Sequence, residues 1–292
     1  GGGGGVLKQF ALLLQRSWRQ VSRDSATNSV RLATSLNSAF VFGSIFWRMG
    51  RSQTSIQDRM GLLQVSVINA AMAALMKTLT AFTKEKVIVD RERASGAYTM
   101  FPYLAAKLTA ELPVGAFFPL AFGLVVYPMA GLHPTLGRFA KFCALITLES
   151  FTSSAIGLCV SSVAPSTEAA VAMGPAIMVL FIVFGGYYVN ADNVPVCFKW
   201  INKCSVIKWA FQGLCINEFQ GLEFQVTKAS DQWNGAQVLD RLSFSAAHGN
   251  SVGTAATQQV NVAAFCYLST LYLLEKSSPK FQVIDEVEAL TS

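Results

Sequence analysis

Charge is what this sequence has least of. Asp, Glu, Lys and Arg make up 14% of its 292 residues, against about a quarter in an ordinary soluble domain. A chain of this length is able to bury a core, but a core does not remove the charged surface around it, so the deficit argues against a water-soluble fold. Spacings that carry chemistry are missing too. There is no G-x-x-x-x-G-K-[ST] loop to cradle a phosphate, and no G-x-S-x-G, H-E-x-x-H or glycine-rich dinucleotide turn. A VIDEV stretch near the carboxyl end looks like a Walker B strand, but it has no phosphate loop to serve. Six cysteines without a C-x-x-C pair exclude the usual zinc frameworks. His133 and His248 stand in expected outer loops with no ligand spacing around them. No N-x-[ST] sequon occurs, and five leading glycines replace the basic start and apolar run of a signal peptide. No nucleic-acid motif accompanies the net charge of +6. Nothing supports a free-standing enzyme, and no catalytic, metal or cofactor residues are assigned.

What is abundant is apolar: 52% of residues, 21 Phe among them, with a mean hydropathy of +0.41. These residues come in blocks, the signature of a polytopic all-α membrane protein. Between two blocks lies KEKVIVDRERASG, Lys84 to Gly96. Hydrocarbon excludes such a cluster, because one charge at mid-bilayer costs roughly 3 kcal/mol. It reads as a turn at a membrane face, and its cations favour the cytoplasmic side. Charge alone does not separate a functional segment from a solvated connection.

Residues 7–23 read as a basic amphipathic helix in the membrane interface, with Leu7, Phe10, Leu14, Trp18 and Val21 on one face. The first span is Leu32 to Trp47, starting near Asn28, with Arg31 snorkelling to the inner face. The second runs from Met60 to about Phe82, with Lys77 snorkelling at its inner end. In the third, Lys107 and Glu111 share a helical face and can pair, while Pro113 and Pro119 kink or locally break the helix, which ends near Tyr127 and Pro128. The fourth, about Phe139 to Val163, contains Glu149, either a proton or substrate group or an interhelical contact with Ser, Thr or Tyr. A turn follows at Ala164 to Glu168, where Ser166 or Thr167 can cap the next helix. The fifth span, Ala169 to Val189, ends on Gly185, Gly186, Tyr187 and Tyr188. The tyrosines fit an interfacial aromatic belt.

Residues 190–259 form the longest polar segment, and its aromatic-rich first part suggests re-entrant or interfacial helices. Cys197 and Cys204 are candidates for a disulfide, but seven residues on a straight helix separate them by about 10 Å. That exceeds disulfide reach, so pairing requires a break between them. The last span is Val260 to Leu274, with an option to begin earlier, and a polar tail, 277–292, follows. With the amino end inside, Lys and Arg concentrate on the inner segments once the long outer loop is discounted.

Six stretches in order resemble one family, the membrane domain of ABC transporters of the G (White/WBC) subfamily. They are FALLLQRSWRQVSRD, SQTSIQDRMGLLQ, DRERASGAY, AAKLTAELP, FGGYYVNADNVP and KWAFQGLCINEFQGLEF, and together they cover about residues 7–276. Within the subfamily the chain looks most like plant and algal half-transporters of the member-seven type. The resemblance implies residues 1–26 as a glycine-rich start and connecting helix, and a six-helix transmembrane domain over 27–276. It implies a dimer with another half-transporter, homo- or heteromeric, exporting hydrophobic small molecules such as lipids or xenobiotics across a plasma or organelle membrane. ATP and Mg would act through a nucleotide-binding domain that this sequence does not show. An orphan domain that regulates full-length partners, or an ATP-independent carrier using Glu149, are the alternatives. By position, Asp90, Arg91, Glu92 and Arg93 match the coupling region. Asn69, Met72 and, less closely, Phe184 match cavity positions, and Tyr187 and Tyr188 match the plug above the cavity.

Overall fold

The computed structural model describes residues 3–94, 96–226, 234–246 and 249–277. His248 and the tail beyond 277 lie outside them. Ten α-helices carry the described chain: α1 (Gly3–Arg23), α2 (Ser25–Ile45), α3 (Gln53–Ala94), α4 (Met100–Ala130), α5 (Leu136–Val163), α6 (Thr167–Val183), α7 (Lys199–Cys204), α8 (Val206–Phe219), α9 (Gly235–Arg241) and α10 (Val252–Lys276). The described residues form no strand, only an isolated bridge between Glu223 and Asn234. Each of the six expected spans is a helix. Three of them, α3, α4 and α5, are long and apolar enough to cross a membrane by length and composition. The protein is an all-α membrane protein.

Two boundaries, the charged cluster and the end of α6, differ from the sequence expectation, each for a physical reason, and α10 takes the earlier start that the sequence left open. The charged cluster is not a turn. Residues 84–94 continue α3, which runs unbroken for 42 residues, or about 63 Å. That is roughly twice the ~30 Å hydrocarbon core. Past the hydrocarbon, side-chain bonds to neighbouring helices hold the helix together. Pro113 and Pro119 lie inside a continuous α4, which ends on Gly131 in the left-handed region. Helix α6 stops at Val183, short of Val189, because Gly186 adopts φ 86°. Tyr187 and Tyr188 therefore stand on an irregular segment. Helix α10 begins at Val252, where Ser251 and Thr254 form a reciprocal capping box, so the outer segment ends before 252 rather than at 259.

Capping follows the sequence elsewhere. Asp24 accepts from the Thr27 N–H at the start of α2, and Ser166 accepts from the Ala169 N–H at the start of α6. The main core gathers Leu62, Val67, Leu75 and Leu79 of α3, Ile146 and Ala155 of α5, and Phe211 and Leu214 of α8. Gly157 brings α5 close against α3, where a Cβ would sit 3.0 Å from Thr78 Cβ. A second cluster joins Leu13 of α1 to Phe82 and Val89 of α3, to Met100 and Leu104 of α4, and to Leu274 of α10. Helix α1 thus docks on protein through Leu13, Phe10 and Leu14, while Leu7 and Trp18 of its apolar face remain exposed.

The aromatic-rich segment is helical in two parts: the 3-10 turn and α7 (196–204) are mostly exposed, and α8 is almost wholly buried. Helix α8 wedges beside α3, α5 and α10 with Val206, Ile207, Phe211 and Phe219 fully enclosed. Glu218 near its end meets Arg59 of α3 at 2.5 Å, both side chains buried. Arg59 also donates to the carbonyls of Met49 and Gly50, and Glu218 accepts from the His133 N–H at 3.1 Å. Arg138 adds bonds to the carbonyls of Asn217 and Gln220, each 2.6 Å. Removing one member of a buried pair strands the other charge and costs about 3–5 kcal/mol. Arg59→Met is therefore expected to lower the thermal midpoint of the detergent-solubilised protein sharply. Adding Glu218→Gln, which needs no counter-charge and still accepts from His133, should recover part of that loss.

Candidate functional site

Two groups of residues stand out, one at each end of α3. At the end nearest α1, the last turn of α3 is clasped from both sides. Arg16 of α1 donates to Glu92 at 2.8 Å, and the Tyr98 hydroxyl donates to the same carboxylate at 2.7 Å. Arg93 donates to the Leu274 carbonyl at 2.5 Å and reaches the Glu275 carbonyl, the last acceptors of α10. About two turns earlier, Lys86 donates to the Ser162 carbonyl at the end of α5. Of the four expected coupling residues, Glu92 and Arg93 hold neighbouring helices, Asp90 is half-buried, and Arg91 is exposed on the outer side. The Arg16 guanidinium holds the Glu92 carboxyl below the usual carboxylate range, and burial together with Glu92 pushes the Tyr98 hydroxyl upward.

Behind this clasp runs a chain of ionised groups. Glu85 accepts from Tyr103 at 2.5 Å and from Lys107 at 2.6 Å. Lys107 also lies 3.3 Å from Glu111, as the i, i+4 spacing predicts, and Lys77 lies 3.7 Å from Glu111. Lys77 thus reaches across to a carboxylate of α4. Arg31 likewise turns inward, its guanidinium 4.1 Å from the Phe118 ring centre. Glu149 is fully buried, accepting from Ser153 at 3.1 Å and from Gln259 of α10 at 3.3 Å, and it lines none of the described cavities. Those contacts match the structural alternative, with a glutamine as the partner across helices.

The three expected cavity residues do not share one cavity within the chain. Asn69 faces a space of about 240 Å³ between α2, α3 and α4. Met72 packs at the edge of the main core, and Phe184 caps α6 with its ring stacked on Phe198 at 5.6 Å. At the far end of α3, Tyr187 and Tyr188 line a groove of about 760 Å³ with Gln53, Met60 and Arg241. Their rings meet edge to face at 4.9 Å. Tyr187 packs inward on Phe211 at 5.8 Å, whereas Tyr188 is 63% exposed. Cys197 and Cys204 are exposed free thiols on either side of the junction between a 3-10 turn and α7.

The sequence reading missed Arg16, Glu85, Tyr103, Arg59 and Glu218. A charge set in an apolar run, as Glu218 is in GLCINEF, was the available signal. The Arg16–Glu92 contact is partly exposed, so its contribution is small, about 0.2–1 kcal/mol. Its sign is definite. Because the native Glu92 carboxyl lies below its unfolded value, the contribution is complete above the unfolded pKa of about 4.3 and is lost as pH falls through the native value. Hydrogen exchange along α1, corrected for intrinsic rate, should be steady from neutral pH to about pH 5 and rise in stronger acid. In Glu92→Gln the acid-dependent rise should disappear.

Comparison with known proteins bears on all these helices. The pattern of the ABC-2 type transporter membrane family matches residues 8–219. The chain is 57% identical over 281 residues, 96% of its length, to ABC transporter G family member 7 of Arabidopsis thaliana, of which it spans 38%. It is 32% identical over 82% of its length to Protein white of Drosophila melanogaster and 31% identical over the same share to Protein white of Ceratitis capitata, spanning 36% of each. The chain thus spans less than two fifths of the length of these relatives. With the family pattern running from α1 to the end of α8, the chain belongs to the ABC-2 type transporter family, in its G or White subfamily.

Proposed function

We propose that this chain forms the membrane-spanning half of an ATP-driven exporter of hydrophobic or amphipathic molecules, acting as a dimer. ATP and Mg would be bound by a nucleotide-binding domain in a longer product or on a partner. The observation that carries this reading is the continuity of α3. One rigid helix joins the charged clasp at Lys84–Arg93 to Met60 and the tyrosine-lined groove. Displacement of the clasp by an ATPase is therefore delivered to the opposite end without an intervening hinge. Of the four expected coupling residues, Arg91 is the exposed one outside the clasp and so is available to an ATPase domain.

The tyrosines supply a closure at the receiving end. A two-fold pair presents the same patch twice, and the exposed Tyr188 is the ring that would meet its counterpart. Tyr187 backs it against Phe211. An aromatic ring fills a large area with few rotors. The carrier alternative through Glu149 is not favoured, since that carboxylate is enclosed and hydrogen-bonded.

Arg91→Glu, made in the ATPase-bearing product, should abolish ATP-dependent transport in vesicles while substrate binding and basal hydrolysis persist. Unchanged transport would make the segment a solvated helix end. A wild-type chain that gives no transport of its own but depresses that of a full-length half-transporter would instead mark a regulatory partner. Separately, Tyr188→Ala should fold normally and yet leak substrate or hydrolyse ATP without export. Wild-type coupling in this variant would leave Tyr188 a membrane-interface aromatic.

A further inference from the structure

A cleft between α4, α5 and α10 encloses about 340 Å³. That falls within the range of ligand pockets, roughly 300–1,000 Å³, and is far more than close packing leaves between helices. Leu112, Leu148, Phe151, Leu158, Val260 and Ala263 give it apolar walls. Leu112 of α4 and Val260 of α10 are themselves exposed, which places the mouth of the cleft between these two helices. Phe117 and Leu124 are exposed on α4, as Phe265 and Leu268 are on α10. The mouth of the cleft therefore meets hydrocarbon.

One wall is polar. Ser150 and Ser154 line the cleft one turn apart, on the same face of α5. A helical hydroxyl commonly returns to the carbonyl four residues back, as those of Ser66, Thr78 and Thr152 do. Those of Ser150 and Ser154 have no hydrogen-bond partner among the described residues, although Ser150 is only 8% exposed. A hydroxyl kept from water without a partner is costly. Near the serines the ionised groups are in balance. Asp24, Glu85 and Glu111 answer Arg31, Lys77 and Lys107. Glu111 lies 3.3 Å from Lys107 and 3.7 Å from Lys77, and Glu85 lies 2.6 Å from Lys107. A charged occupant would upset that balance where a lone charge is expensive.

We infer that the cleft is a binding site for a neutral hydrophobe bearing a hydroxyl group, taken up sideways from the bilayer. Its hydroxyl meets Ser150 and Ser154, and its apolar body lies between α4, α5 and α10. A hydroxyl both donates and accepts, so one such group serves two serines and adds no charge. An alkane tail would fill the apolar walls and leave the serines without partners. A fatty acid or an amine would satisfy the serines and bring an unanswered charge. The site lies within one chain and needs neither an ATPase nor a second copy, so it stands or falls separately from the export reading.

The test is photolabelling of the full chain in phosphatidylcholine vesicles with hexadecanol carrying a mid-chain diazirine, mapped by mass spectrometry of the labelled peptides. Labelling should saturate, fall on the cleft-lining parts of α4, α5 and α10, and be competed by plain hexadecanol. Hexadecane, hexadecanoate and hexadecylamine should compete poorly. Joint Ser150→Ala and Ser154→Ala should weaken labelling about fivefold. Ala263→Phe, which fills the cleft and spares both serines, should abolish it, and it carries the test if the serine variant does not fold. Ala264→Phe, on the exposed side of α10, should leave it unchanged. Labelling that never saturates would overturn the assignment, because the cleft would then accept any acyl tail of the matrix. Equal labelling of the serine variant and wild type, or full labelling of Ala263→Phe, would overturn it too. So would competition by hexadecane, hexadecanoate or hexadecylamine as strong as that by the alcohol.

Discussion

The structure depends on one constraint: charges that enter the apolar bundle must be answered there, and the answers lie on other helices. Arg59 enters on α3 and finds Glu218 on α8. Lys107 enters on α4 and finds Glu85 on α3. The first pair joins elements far apart in sequence and the second joins consecutive helices, and both include α3. Each pair fixes the rotation and the depth of that helix, because a shift by one residue would carry the charged group about 100° round the axis, into lipid or apolar core. Apolar packing alone sets such a register loosely, since leucine against leucine is tolerant of sliding.

The same constraint explains how much of this was legible in the sequence. Hydropathy blocks and flanking charges located all six long helices, because exclusion of charge from hydrocarbon acts on composition directly. Pairs within one helix were legible too: Lys107 and Glu111 are found where the i, i+4 rule puts them. Pairs between helices were not. Nothing in the spacing of Arg59 and Glu218, or of Arg16 and Glu92, links the members of each pair. The turn expected at Lys84 to Gly96 failed for a related reason. A charge cluster shows that a segment has left the hydrocarbon, but it does not show that the helix has stopped. Arg16, Lys86 and Arg93, by bonding to neighbours, let α3 continue.

The tyrosine pair was legible as a pair but not as an arrangement. Two adjacent aromatics on a helix point about 100° apart, so only one of them was able to face any given partner. The glycine at 186, in a backbone region that other residues avoid, takes the segment off the helix and lets Tyr187 turn onto Phe211. A side chain added at that glycine would strike the Phe244 ring at 2.7 Å. The division of labour between an inward Tyr187 and an outward Tyr188 thus rests on an absent Cβ.

The clasp at the end of α3 has a mechanical corollary. Glu92 and Arg93 are consecutive, yet one binds α1 and the other binds the last carbonyls of α10. Helices α1 and α10 therefore bond to a single peptide unit of α3, while most of their packing lies elsewhere, α1 on α4 and α10 on α5 and α8. Under the proposed function, a push on either helix that reached α3 through these bonds would arrive at the same turn, and two such pushes would add or cancel there according to their directions.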